Sequence, residues 1–225
     1  MSIFTLPEDA AVARHFRRAL LDASRHEKPY RRWSLVDVLP EPVCLGIISL
    51  PIVPLRIDDC HGVRDTDNSM RTFFTPWLQG RFPVCELLAQ ALQRPEVAHL
   101  VGKTCGFEAA GSYLRMEYIQ DIDGAWLEPH RDVPEKLCSL VIYFCTGPDA
   151  KDWGTDIYDD ERRWIGRSSG EFNTGTIFTA GPNTWHGFEK RKIVGIRRLM
   201  EINYVHPRWR DREQLSFPDQ PIPAL

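Results

Sequence analysis

Apolar positions recur at helical spacing near the start of the chain. Val12, Phe16, Ala19, Leu20 and Ala23 share one face of an amphipathic helix of about five turns that stops before Pro29. Thr5-Leu6-Pro7-Glu8 precedes it with a capping-box pattern and a proline in the first turn. The texture then changes. Trp33 to Val38 and Val43 to Leu50 read as strands, separated by Pro40 and Pro42. The polar stretch Asp58 to Asn68 (DDCHGVRDTDN) reads as a loop. Pro83 opens a second helix through Leu87, Leu88, Ala91 and Leu92, and Pro95 opens a shorter third one.

From Ser112 onward the pattern is one of short strands: Ser112 to Ile119, Leu137 to Cys145, Thr155 to Tyr158, Thr176 to Thr179 and Arg197 to Val205. Turns carrying Asp-Gly, Gly-Pro and Asn-Thr-Gly lie between them. This punctuation predicts a mainly β fold with N-terminal helices, a sandwich or jelly roll. No repeat is visible. The chain reads as one domain over 1–225: a support region of helices and strands over 1–110, a β core over 111–206, and a proline-bearing extended tail over 207–225.

Composition narrows the class. The 225 residues carry a net charge of −3 and a pI near 6.2, which argues against a generic binder of nucleic acid or of membrane surfaces. An apolar content of 43% with 26% charged residues excludes a disordered chain. No apolar run reaches the roughly 18 residues of a spanning helix, and the start lacks the basic and apolar regions of a signal peptide. Cys44, Cys60, Cys85, Cys105, Cys138 and Cys145 form no CxxC pair. They read as reduced, packed thiols in a cytoplasmic protein.

Two of the seven histidines stand out by context. His130 lies in Pro129-His130-Arg131-Asp132, just before one predicted strand. His186 lies in Thr184-Trp185-His186-Gly187, just after another. His130 and Asp132, two apart, face one side of an extended segment, and His186 is far enough along to return on a neighbouring strand. Two imidazoles and a carboxylate form the facial set that binds Fe(II) and leaves positions open for a co-substrate and O2. Gly195-Ile196-Arg197-Arg198 then opens the last strand with a guanidinium suited to a carboxylate.

Other motifs fail on context. His130-Arg131-Asp132 matches the kinase HRD, but the position five past the Asp is Leu137 rather than Asn. Gly166-Arg167-Ser168-Ser169-Gly170 matches a hydrolase elbow, but its polar flanks predict a hairpin turn. Lys190, Arg191, Lys192, Arg197 and Arg198 read as a solvated loop plus one co-substrate arginine, not as a nucleic-acid site.

In this order, Leu114-Arg115-Met116-Glu117-Tyr118, Pro129-His130-Arg131-Asp132, Leu140-Val141-Ile142-Tyr143, Trp153-Gly154-Thr155-Asp156-Ile157-Tyr158, Thr184-Trp185-His186-Gly187-Phe188 and Gly195-Ile196-Arg197-Arg198 give a chain that resembles the Fe(II)- and 2-oxoglutarate-dependent dioxygenases, in their prolyl-hydroxylase-like branch. The resemblance spans about Ser112 to Val205. It implies a double-stranded β-helix, a cupin-like jelly roll, with His130, Asp132 and His186 as metal ligands and catalytic centre. It also implies that 2-oxoglutarate binds through Arg197, with Tyr143 and, less directly, Tyr118. Arg198 competes with Arg197 for this role; Arg197 is favoured because it leaves Arg198, Met200, Ile202 and Tyr204 on the face that helices would cover. Where many relatives carry Gly-Gly-Glu-Leu, this chain carries Gly154-Thr155-Asp156-Ile157, a departure expected on the substrate side. The implied cofactors are Fe(II), 2-oxoglutarate and O2. The implied reaction is hydroxylation of a C–H bond of a small molecule, with release of succinate and CO2. Arg71, Arg115, Arg131 and Trp126 are the candidate substrate contacts, with Trp153 and Trp185 as further aromatic candidates; no nucleic-acid or membrane partner is expected. Two alternatives stand beside this reading: hydroxylation of a protein side chain of the prolyl type, and a non-catalytic cupin-like binding module.

Overall fold

A computed structural model of the chain describes residues 5–54, 62 and 71–225. The predicted loop at Asp58 to Asn68, with Cys60, lies outside the described residues apart from Gly62. Helix α1 (Asp9–Leu21) buries Val12, Ala13, Phe16, Ala19 and Leu20, the face that the spacing predicts. It is shorter than predicted, because Ser24–His26 leave as strand β1 and pair with β2 (Arg32–Val36). Glu8 is its N-cap, with no side-chain cap bond, so the Thr5 capping box does not form.

The predicted strand at Val43 to Leu50 is instead helix α2 (Glu41–Ile48). A short apolar run has no polar alternation to separate strand from buried helix. Here the prolines decide: Pro42 sits in the first turn, where its missing N–H costs nothing. The chain continues through β3 (Thr72–Phe73), the short α3 (Pro76–Gln79), α4 (Pro83–Gln93) and α5 (Pro95–Cys105). Gly106, with φ +86°, ends α5 in the left-handed conformation that glycine adopts without penalty.

Eight further strands follow: β4 (Tyr113–Asp121), β5 (Leu127–His130), β6 (Ser139–Tyr143), β7 (Asp156–Tyr158), β8 (Trp164–Arg167), β9 (Thr174–Phe178), β10 (His186–Phe188) and β11 (Arg197–Val205). The large sheet has the order β1-β2-β9-β6-β11-β4-β3, and the small sheet β5-β10-β7-β8. Every strand pair is antiparallel. The Gly166 to Gly170 stretch closes β8 and runs on without a helix, so the hydrolase elbow is absent.

Alternation along the central strands divides the large sheet into two chemically different faces. Leu114, Met116 and Tyr118 of β4, Leu140 and Ile142 of β6, and Met200, Ile202 and Tyr204 of β11 point outward. There they join α1, α4 and α5 in the main apolar core. Each such side chain contributes roughly 1.5–3 kcal/mol by burial. The five described cysteines are buried and free. Among the described residues, no helix is long and apolar enough to cross a membrane.

Candidate active site

The inner face of the large sheet reads as a series of cross-strand rows. Arg197 stands opposite Asp121 and ion-pairs with it. Next, Leu199 lies between Ile119 and Tyr143. Glu201 then faces Glu117 on one side and Val141 on the other, and Asn203 faces Arg115. The floor therefore passes from a cation through an apolar belt to a charged half. Like charges in direct cross-strand register are unfavourable, so Glu201 and Glu117 need counter-ions. Arg71 grips Glu117 with two bonds of 2.7 and 2.5 Å. Arg115, only 1% exposed, donates to Glu117, Asn203 and Gln214. Lys136 sits 2.5 Å from Glu201. Burial alone would raise the carboxyl pKa of Glu117, but Arg115 and Arg71 outweigh it and hold it below the usual range.

The small sheet supplies the other wall. His130 ends β5, His186 begins β10, and the two are direct cross-strand partners. Their ring centroids are 4.3 Å apart. Asp132 follows two residues after His130, with its Oδ2 3.7 Å from His186 Nε2. One ligand atom from each of the three lies within 4.8 Å of the others. Each imidazole is oriented by the peptide chain: Nδ1 of His130 bonds the Glu128 carbonyl and Nδ1 of His186 bonds the Thr184 carbonyl, both at 2.9 Å. An Nδ1–H donated to a carbonyl fixes the tautomer and leaves the Nε2 lone pair for a metal. Phe178 stacks against His186 at 4.7 Å, and Tyr30 and Ile157 pack on Phe178.

Asp132 is tied down through both oxygens. Oδ1 accepts from Lys136 Nζ at 2.7 Å, and Oδ2 accepts from Ser139 Oγ at 2.6 Å. Burial pushes this carboxyl pKa upward, but Lys136 and then His186 outweigh it and hold it below the usual carboxylate range. Burial likewise works against the Lys136 ammonium, yet Asp132 and Glu201 keep its pKa above the ordinary lysine value. Burial, reinforced by the neighbouring His186, pushes the His130 imidazole down to about 4. Near neutral pH His130 is uncharged and Asp132 ionised, the protonation states a divalent metal needs.

A cavity of about 610 Å3 joins His130, Asp132 and His186 to the floor. At its inner end stand Arg197, Thr155 and Phe188. Arg197 Nε donates to the Trp153 carbonyl at 2.6 Å, Nη1 is held by Asp121, and the guanidinium lies 3.9 Å over the Phe188 ring. Among the described residues, Nη2 makes no hydrogen bond. Arg198 points to the opposite face, as the strand alternation requires, and does not line the cavity.

Tyr143, expected at the co-substrate, does not line the cavity; it lies beneath the Arg197 end, its hydroxyl 2.5 Å from Thr155 Oγ1 and 3.0 Å from Ser168 Oγ. Its ring is 5.9 Å from the Arg197 guanidinium. Tyr118 departs from the expectation. It belongs to the outward face of β4, in the helical core, because even-numbered β4 residues alternate away from the cavity. Trp126 does not line the cavity; its ring lies against Gly62, which does. Trp153 is buried, and its indole donates to the Lys192 carbonyl. Arg131 and Arg162 both lie over the Trp185 ring, at 4.7 and 4.2 Å. Arg71, Arg115 and Arg131 do line the cavity, although Arg131 also donates to the Pro182 carbonyl. Asp156, in the departure from Gly-Gly-Glu-Leu, is fully buried away from the cavity. It anchors Arg191, Arg167, the Trp164 indole and the Glu189 amide; its neighbour Thr155 is the one that faces the cavity.

Sequence reasoning missed Lys136, Ser139, Glu201 and the segment Arg208-Trp209-Arg210, all of which line the cavity. A signal existed for two of them: Glu201 shares the alternation of Arg197 along β11, and Lys136 is four residues beyond Asp132.

No protein-family model matches the chain, and neither does any curated protein. Solved structures do match its fold. A prolyl 4-hydroxylase from Pseudomonas putida is 14% identical, aligned over 90% of this chain and 96% of its own length, with a TM-score of 0.55. A prolyl 4-hydroxylase from Phytophthora capsici is 9% identical over 91% and 68% of the two chains, with a TM-score of 0.60. A prolyl hydroxylase from Trichoplax adhaerens, solved with a hypoxia-inducible-factor peptide, is 9% identical over 88% and 90%, with a TM-score of 0.56. The chain thus shares the fold of the prolyl-hydroxylase-like proteins.

Proposed function

We propose that this protein is an Fe(II)- and 2-oxoglutarate-dependent oxygenase. It hydroxylates a C–H bond of a polar small molecule, and the two facing sheets are a double-stranded β-helix. The observation behind the reading is the triad itself: two imidazoles with engaged Nδ1 atoms and one ionised carboxylate, all within 4.8 Å. That donor set suits Fe(II) and leaves one face open. Arg197, with a free Nη2 at the inner end of the same cavity, suits the distal carboxylate of 2-oxoglutarate. The prolyl-hydroxylase-like fold supports the same reading, and the net charge and the lack of a spanning helix among the described residues fit a cytoplasmic enzyme.

His130, Asp132 and His186 would hold the iron. The chemistry supplied by bound iron and 2-oxoglutarate is oxidation of the keto acid by O2 to succinate and CO2, with one oxygen atom delivered to a substrate C–H bond. The protein's own residues do the rest. Arg197 binds and orients the keto acid, steadied by Asp121 and the Trp153 carbonyl. Tyr143 fixes Thr155 through its hydroxyl and closes the floor beneath. Leu199, Ile119 and Val141 line the middle of the floor with apolar surface and keep water from the reacting centre. Lys136 and Ser139 hold the Asp132 carboxylate in place. The charged half of the floor, Glu201 with Lys136 and Arg115, favours a substrate that forms hydrogen bonds.

Protein hydroxylation of the prolyl type is the second reading, and the character of the structural neighbours favours it. The deciding experiment is anaerobic. Fe(II) and then 2-oxoglutarate are added to the metal-free protein while the visible charge-transfer absorption is followed. A band is expected in the wild type, absent in His130→Ala and requiring far more 2-oxoglutarate in Arg197→Ala. Folded wild-type protein with no band at any concentration would leave a non-catalytic binding module.

A further inference from the structure

The cations that line the cavity are not all used in the same way. Arg71 and Arg115 share Glu117. Lys136 lies between Asp132 and Glu201, and Arg197 is paired with Asp121. Arg131 is capped by the Pro182 carbonyl and stacked on Trp185. Arg208 and Arg210 also line the cavity, but among the described residues their guanidinium groups make no ion pair and no hydrogen bond.

Between them Trp209 carries a third unused donor. Its Nε1 is buried without a hydrogen-bond partner, and its ring is covered on one side by the Arg115 guanidinium at 5.4 Å. A buried N–H left unpaired costs about 1–3 kcal/mol, which an acceptor from a ligand would recover. The segment is held in shape by its own backbone. Arg208 N–H donates to His206 Nδ1, Trp209 N–H to the His206 carbonyl, and Arg212 N–H to the Arg210 carbonyl. Its start is tied to the metal side, because His206 N–H donates to the Glu135 carbonyl.

We propose that the Arg208-Trp209-Arg210 segment is the substrate-recognition rim, and that the substrate carries an oxyanion: a carboxylate, sulfate or phosphate. The assignment rests on the oxygenase reading above and names the substrate class for that site. All three free groups are donors, two of them permanently charged forks matched to oxyanions. Of the carboxylates that line the cavity, Glu128 and Glu135 make no ion pair with either arginine among the described residues, and Asp211, next to Arg210, accepts from Gln214 instead. The anion contact expected of Arg71, Arg115 and Arg131 thus moves to residues without an internal partner.

The test uses protein loaded with Mn(II) and 2-oxoglutarate, which occupies the metal and Arg197 without turnover. Acetate, sulfate and inorganic phosphate are titrated separately by calorimetry. Saturable binding of at least one of them is expected, and which one separates a carboxylate from a sulfated or phosphorylated substrate. Binding should weaken by about tenfold or more in Arg208→Gln/Arg210→Gln, as expected when a charged pair of donors is lost. It should weaken less in Trp209→Phe, and stay unchanged in the distant surface control Arg163→Gln. No saturable binding, or equal binding in the double variant, overturns the proposal; equal binding would place the anion at a cation other than Arg208 and Arg210. If the protein fails to load, the oxygenase reading falls, while the same comparison on the metal-free chain still decides the oxyanion rim.

Discussion

Replacing Lys136 by Met removes the ammonium that the buried carboxylates Asp132 and Glu201 share. Lys136 Nζ is 2.7 Å from Asp132 and 2.5 Å from Glu201, and its side chain is 12% exposed. Breaking a buried pair by removing one partner costs about 3–5 kcal/mol, since an uncompensated charge stays behind. For a chain of this size, 1 kcal/mol corresponds to roughly 2–4 °C in Tm. Metal-free Lys136→Met should therefore melt roughly 6–20 °C below the wild type. A divalent ion on the triad would then act as counter-ion for Asp132. Saturating Mn(II) should raise the Tm of Lys136→Met by more than it raises that of the wild type, narrowing the gap. Lys136→Arg keeps the charge and should fall between the two. Scanning calorimetry with and without Mn(II) reads all of these values. A metal-free Lys136→Met that melts within about 2 °C of the wild type, below the shift of a 1 kcal/mol change, would refute the reading of Lys136 as the counter-ion.

Two further outcomes follow from the geometry. At Gly154 a Cβ would collide with the Ser168 carbonyl, and the preceding Trp153 carbonyl holds Arg197 Nε. Gly154→Ala should thus both lower the Tm and weaken 2-oxoglutarate binding, measured by calorimetry on the Mn(II) form; an unchanged affinity would separate that loop from Arg197. His130 in the metal-free protein should remain neutral through pH 5, because burial pushes its pKa down to about 4 from an ordinary value near 6.5. A lowered histidine pKa contributes stability present above pH 6.5 and lost as pH falls toward 4, since only the unfolded chain takes up the proton in that window. An NMR titration of the imidazole that finds a midpoint near 6.5 would contradict the burial of this ring.

The parts of this fold that were legible in the sequence are those with a local cause. The alternation in Arg197 to Val205 places Arg197 inside and Met200, Ile202 and Tyr204 outside, and strand β11 has the predicted bounds. Helices α4 and α5 begin at Pro83 and Pro95, where proline costs least. What failed was set by distant partners. The apolar run of helix α2 is silent about period and does not distinguish strand from helix. Tyr118 was placed at the co-substrate because the face of β4 depends on register against β11, where it pairs with Met200. Strands β5 and β10, which carry the two histidines, are only four and three residues long, too short to show a period at all.

The same contrast explains the cavity's chemistry. Glu117 and Glu201 are separated by more than eighty residues and become neighbours only through the β4–β11 register. No sequence rule would place two carboxylates in one buried row. Once they are there, electrostatics requires cations beside them, and Arg71, Arg115 and Lys136 are consumed in meeting that demand. Basic residues that look like substrate anchors in the sequence are thereby turned into structural counter-ions. The proposed oxyanion contact therefore falls on cations the fold does not use internally: among the described residues that line the cavity, Arg208 and Arg210, just beyond the end of β11, have guanidinium groups with no hydrogen bond or ion pair.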